Sequence, residues 1–185
     1  MNTPNKLTLS RIFLMPVIVL FMFLDVPYNY LIAMVIFIVA CITDMVDGAI
    51  ARKKQLITNL GKFLDPLADK VLVCSVLICF VQLGFIHAAA VIIIITREFL
   101  VTAVRLAAVD KKVIIAAGIW GKLKTIIQIS AIIAVFFAII LLDIFPVLIK
   151  YNILIYAKTL IWISVALTVI SGIEYFIKNR NVLEE

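Results

Sequence analysis

Long apolar runs separated by short polar breaks constrain this chain more than any other feature. The runs lie near 7–24, 30–52, 61–85, 88–109, 122–142 and 151–178. A helix rises ~1.5 Å per residue, so about 20 apolar residues cross a hydrocarbon core of about 30 Å. A soluble domain has no use for so much apolar surface. Of 185 residues, 65% are hydrophobic and only 15% charged, and the mean hydropathy is +1.23. Lipid offers no partner to a backbone amide, so runs of this length must be helical. The sequence therefore predicts an all-α integral membrane protein of about six transmembrane helices. The breaks are too short for a soluble domain, so 1–185 reads as a single membrane domain. The polar start, 1–11, is followed by no small-residue cleavage pattern, and no removable signal peptide is expected. Pro27 and Pro146 fall in breaks, Pro16 inside the first helix, where it is expected to kink the chain, and Pro66 in the tolerant first turns of the third.

The formal charge is +6, and its placement is more informative than its sum. Lys6 and Arg11 precede the first run. Arg52, Lys53, Lys54 and Lys62 lie between the second and third. Arg105, Lys111, Lys112, Lys122 and Lys124 lie between the fourth and fifth, and Lys178 and Arg180 follow the last. The alternate breaks, 25–29, 84–87 and 143–150, hold one Lys and no Arg. The positive-inside rule then puts both termini and the basic breaks on the cytoplasmic side of the cell membrane. Such a face attracts anionic headgroups and phosphorylated ligands. Nucleic acid is a poor partner for charge confined to short loops beside membrane segments. Cys41, Cys74 and Cys79 all lie in apolar runs and read as small core residues, neither a disulfide framework nor a metal set.

One cluster breaks the apolar pattern at a fixed spacing. It reads Asp44-x-x-Asp47-Gly48-x-x-Ala51-Arg52, then eight residues, then Gly61-x-x-x-Asp65-x-x-x-Asp69. Carboxylates at the edge of hydrocarbon are costly, which makes them functional candidates. Asp44, Asp47, Gly48 and Ala51 share one face of the second helix, and Gly61, Asp65 and Asp69 one face of the third. The pairs Asp44/Asp69 and Asp47/Asp65 are both centred near position 56, so the two helices should bring them to matching depths across an antiparallel hairpin. The four acids then converge about two turns below the cytoplasmic surface. Four such carboxylates cannot all stay ionised in a poorly hydrated site without compensation, so either some are protonated or cations neutralise them. An all-oxygen set suits hard divalent ions, Mg2+, Mn2+ or Ca2+. Two bridged ions make a clamp for phosphoryl transfer. Gly48 and Ala51 leave that face free of bulk, and Arg52 supplies a fork donor for phosphate. A structural alternative pairs the acids with Arg52, Lys62, Lys70 and Arg97. A carboxylate-lined cation or proton transporter would need a second, outward route, and the outer loops are short and nearly uncharged. A non-catalytic scaffold leaves the acids unexplained.

At every defined position the cluster resembles the signature of the CDP-alcohol phosphotransferase family, whose length and helix count extend the resemblance over nearly the whole chain. The resemblance implies an enzyme that exchanges the CMP of a CDP-linked lipid or alcohol for an acceptor alcohol. It implies that Asp44, Asp47, Asp65 and Asp69 hold two divalent cations, Mg2+ or Mn2+, and that Asp69 also acts as general base. It assigns Asn5, Thr8, Asp47, Gly48, Ala51, Arg52 and Gly61 to the cytidine diphosphate site. It further implies a homodimer in contact with membrane lipid.

Three segments resemble the bacterial members of that family that phosphatidylate glycerol 3-phosphate. They are Asn2-x-Pro4-Asn5-x-Leu7-Thr8-x-x-Arg11, Thr96-Arg97-Glu98 with Arg105, and Gly121-Lys122-x-Lys124-Thr125. The physics agrees with a phosphorylated acceptor. Arg97 lies inside an apolar helix, where an unpaired cation is expensive, and Arg105 follows a little over two turns later. With Lys122 and Lys124 they make a pocket for the phosphate of glycerol 3-phosphate, and CDP-diacylglycerol is the expected donor. The rival reading pairs Arg97 with Glu98 or a motif aspartate and leaves the lysines to lipid headgroups. Serine, inositol phosphate and phosphatidylglycerol are rival acceptors. His87 reads as a solvated loop residue, Trp120 and Trp162 as packing or interfacial anchors, and Lys158 as a candidate dimer contact.

Overall fold

The computed structural model describes residues 3–54, 59–110, 118–147 and 152–180, with side chains at 13–43, 70–106, 108, 118–147 and 152–180. Among these residues the chain forms six helices: α1 Thr3–Phe23, α2 Asn29–Lys54, α3 Asn59–Gln82, α4 Ala88–Asp110, α5 Ile119–Ile144 and α6 Ile153–Lys178. Each overlaps one of the expected apolar runs. Pro16 lies inside α1.

The turns between helices show why the runs end where they do. The third run extends to Phe85, but α3 stops at Gln82. Gly84 takes φ +76°, a left-handed conformation that only glycine enters without steric cost. The Phe85 amide reaches back to the Phe80 carbonyl at 2.9 Å, and the Gly84 amide to Val81 at 3.0 Å. This is a Schellman stop, and the Phe80 and Phe85 rings meet edge-on across it, 6.4 Å between centroids. α2 opens on Asn29, whose Oδ1 accepts the Tyr30 amide at 2.8 Å while its Nδ2 donates to the Leu24 carbonyl at 2.7 Å. His87 is exposed as expected, and its Nδ1 accepts the Ala89 amide at 3.2 Å in the first turn of α4.

α1 packs against α2 and α3, α5 against α6, and α4 against α3 and α6, with α2 and α3 touching α5. Phe37 of α2, Phe80 of α3 and Phe136 of α5 are fully buried at the centre. Phe136 meets Phe80 edge-on at 4.8 Å and Phe37 at 6.2 Å. Buried alanines, Ala33, Ala90, Ala131 and Ala157 among them, let the helices approach closely, as tight packing in lipid requires.

The outer surface is as apolar as the interior. Phe13, Val35, Ile78, Ile92, Phe137 and Ile170, one from each helix, are all about half exposed or more. Water would not tolerate that coat over a whole monomer. Among the described residues, α5 and α6 are each long and apolar enough to cross a bilayer, and Phe13–Phe23, Asn29–Thr43 and Lys70–Gln82 are shorter apolar stretches. The chain is an all-α membrane protein. Trp120 and Trp162 are exposed, Cys79 is buried, and Cys41 and Cys74 are half-buried in the bundle.

Candidate functional site

The acid motif lies on two helices. Asp44, Asp47, Gly48, Ala51 and Arg52 fall within α2, and Gly61, Asp65 and Asp69 within α3. Asn5 and Thr8 fall within α1. The side chains of all ten lie outside the described residues, as does the turn between α2 and α3.

The cationic half of the expected site is described, and it is organised around a residue that the spacing did not single out. Arg97 and Glu98 sit side by side in the apolar helix α4. The Arg97 stem runs across α6 at Gly172, where a Cβ would sit 3.2 Å from Arg97 Cγ, so a side chain there would press on the arginine stem. The guanidinium is held at two points. Nη1 donates to Glu98 Oε1 at 3.0 Å, and Nη2 donates to Ser171 Oγ of α6 at 2.9 Å. Lys124 Nζ of α5 donates to the same Glu98 Oε1 at 2.6 Å.

One carboxylate oxygen thus gathers two cations from two helices. Lys124 is 3% exposed, and a buried ammonium persists only when paired. Behind them, Lys70 of α3 donates to Thr102 Oγ1, which donates to the Glu98 carbonyl at 2.7 Å. Lys70 is the residue after Asp69, so this network reaches the chain position that ends the acid motif.

Of the four expected phosphate-binding residues, the structure joins Arg97 and Lys124. Arg105 and Lys122 are exposed. Eight residues at ~3.6 per turn rotate Arg105 about 80° away from Arg97 around α4. The pairing of Arg97 with Glu98 that the sequence offered as a rival is present, but Lys124 lies inside the bundle on the same carboxylate. Both statements fit one arrangement, in which Glu98 neutralises both cations.

Three buried polar atoms have no partner among the described residues: Arg97 Nε, Gln128 Oε1 and Tyr175 Oη. Gln128 lies one helical turn after Lys124, and Tyr175 one turn after Ser171. By contrast, Ser164, Thr168 and Ser171 on the buried face of α6 are satisfied by carbonyls of their own helix. An open groove of about 460 Å³ lies between α4 and α6, with Thr96, Arg97 and Leu100 on one side and Gly172, Ile173 and Phe176 on the other.

Sequence reasoning did not assign Glu98, Ser171, Gly172, Thr102 or Lys70 to the site. A signal for Glu98 existed: an acid inside an apolar helix is as expensive as the arginine beside it.

Known proteins resemble this chain in sequence. The family profile described as CDP-alcohol phosphatidyltransferase matches residues 1–170. A Bacillus subtilis protein named CDP-diacylglycerol–glycerol-3-phosphate 3-phosphatidyltransferase is 42% identical over 99% of this chain and 97% of its own. One of that name from Rickettsia bellii is 37% identical over 95% and 93%. A Mycobacterium tuberculosis protein named as a probable phosphatidylglycerophosphate synthase is 36% identical over 94% and 79%. With the acid motif, the helix order and a match over most of its length, the chain belongs to the CDP-alcohol phosphatidyltransferase family.

Proposed function

We propose that the chain transfers the phosphatidyl group of CDP-diacylglycerol to sn-glycerol 3-phosphate, releasing CMP and forming phosphatidylglycerol phosphate. The observation that carries this reading is that Arg97 and the buried Lys124 meet on one carboxylate oxygen, in a chain whose near-full-length relatives are named for that reaction. A phosphorylated acceptor needs fixed cations, and an arginine fork beside an ammonium is suited to a phosphate monoester.

The whole chain acts as one membrane domain, with about six spans and both termini in the cytoplasm. The active site opens to the cytoplasm, and the enzyme works as a homodimer surrounded by membrane lipid. The lipid tails of the donor lie in the bilayer, and Asn5, Thr8, Asp47, Gly48, Ala51, Arg52 and Gly61 receive the cytidine diphosphate. Asp44, Asp47, Asp65 and Asp69 form an all-carboxylate donor set, which fits two Mg2+ or Mn2+ ions better than softer metals. When bound, such ions offset the charge of the diphosphate.

Arg97 and Lys124, with Arg105 and Lys122 nearer the surface, hold the acceptor phosphate. Asp69 takes the proton of the acceptor's primary hydroxyl. That oxygen forms a bond to the β-phosphorus, and the bond from this phosphorus to the oxygen shared with CMP breaks, so CMP leaves with the bridging oxygen.

The test is CMP release by purified protein given CDP-diacylglycerol, a divalent cation and glycerol 3-phosphate, beside Asp69→Asn. Release that needs the acceptor, and a folded variant that has lost it, is the expected result. Near-normal release by Asp69→Asn, or release only with serine, inositol phosphate or phosphatidylglycerol, would overturn the assignment.

A further inference from the structure

Glu98 has no part in the reaction outlined above, yet it is the hub of the cationic site. Its Oε1 accepts from Arg97 at 3.0 Å and from Lys124 at 2.6 Å. Two donors meeting on one oxygen are close enough for two oxygens of a single phosphate to bridge them. Neither cation would hold that position by itself. Lysine has a flexible stem, and near a membrane surface its ammonium tends to reach for water. Lys124 is instead 3% exposed, with a carboxylate of α4 facing its ammonium at 2.6 Å. Arg97 is fixed from the other side by Ser171.

The cluster is also not closed. Arg97 Nε and Gln128 Oε1 are buried without a partner among the described residues, leaving one donor and one acceptor unused beside the pair. Glu98 and Arg97 are 16% and 15% exposed, so the edge of the cluster is open to a small ligand.

We infer that Glu98 is a positioning residue for the acceptor: it holds Arg97 and Lys124 together as one phosphate-recognising unit before the substrate arrives. This rests on the reading that those two cations bind the acceptor phosphate. Pre-organised donors bind more tightly than donors that must be gathered on binding. Removing the charge of Glu98 takes away the carboxylate that Lys124 shares with Arg97, so the loss falls on acceptor binding and spares the lipid donor.

The experiment measures KM for glycerol 3-phosphate and for CDP-diacylglycerol separately, in detergent or lipid vesicles, for Glu98→Gln, Glu98→Asp and Lys124→Gln. Glu98→Gln is expected to raise the acceptor KM about tenfold, the size of a lost charge-assisted contact. The donor KM and kcat should stay within about a factor of two. Glu98→Asp keeps the charge on a shorter stem and is expected to fold, with an acceptor KM between the two. An acceptor KM that is unchanged or lower in both Glu98 variants overturns the inference. A parallel rise in both KM values does so too, because it marks a merely structural role. The underlying reading fails separately: Lys124→Gln with a wild-type acceptor KM overturns that reading. A raised KM for Lys124→Gln with wild-type values for Glu98→Gln overturns the role of Glu98 alone.

Discussion

Gly172→Ala adds one methyl group to α6, and the structure says what it meets. The new Cβ would stand 3.2 Å from Arg97 Cγ and 3.9 Å from Nε. Carbon atoms settle at ~3.5–4.0 Å, so the arginine stem must yield by at least about 0.3 Å. A free side chain would do so at little cost, but this one is held at both guanidinium ends. Its bonds to Glu98 and Ser171, 3.0 and 2.9 Å, lie within the preferred range for N–H···O, which closes near ~3.2 Å. A shift of that size takes one or both out of it.

Hydrogen bonds to charged groups are worth ~1.5–3 kcal/mol, and overpacking a tight contact costs a similar ~1–3 kcal/mol. Partial loss of one such bond is then about 1–2 kcal/mol. At about 1.4 kcal/mol per factor of ten, this corresponds to a rise of roughly 5–30-fold in the KM for glycerol 3-phosphate. The assay is CMP release against acceptor concentration at saturating CDP-diacylglycerol, with a thermal melt of the same sample. An acceptor KM within a factor of two of wild type would show that the seat of Arg97 on α6 does not govern acceptor binding.

Two further outcomes follow from other parts of the molecule. Phe136→Ala removes a ring that is fully buried between Phe37 and Phe80. Cavities of this kind cost ~3–5 kcal/mol in water-soluble cores, and about 2–4 kcal/mol is expected here because lipid already solvates apolar groups. A melt in detergent should fall by several degrees; an unchanged midpoint would mean that the three rings do not bear on stability. Chelation of divalent ions should abolish CMP release, with Mg2+ or Mn2+ restoring it, and full turnover in excess chelator would remove the metal role of Asp44, Asp47, Asp65 and Asp69.

The helices were legible because hydropathy and proline act locally. Apolar runs near 20 residues located all six; α1 and α5 start three or four residues before their runs, and the early end of α3 came from the backbone freedom of Gly84. The acid motif was legible because its spacing is itself the signal. The cationic site was only half legible. Arg97 and Lys124 stood out as costly charges, but which group each would meet depends on how the helices rotate against one another. Arg97 and Ser171 are 74 residues apart, and no local pattern joins them. Gly172 carried no sequence signal at all, since its role is the space it leaves for a side chain of another helix.

The shared Glu98 oxygen has a consequence for assembly. Apolar helix faces in lipid are forgiving: a leucine finds much the same company after a slip of one turn, about 5.4 Å. A buried ion cannot slip. Moving α5 by one turn along α4 would take Lys124 away from Glu98, and moving α6 would take Ser171 away from Arg97. Buried polar groups set register in coiled coils at some expense in stability. In this bundle the polar cluster acts as a key that fits one axial alignment of α4, α5 and α6, so greasy helices that could dock at several heights are latched at one.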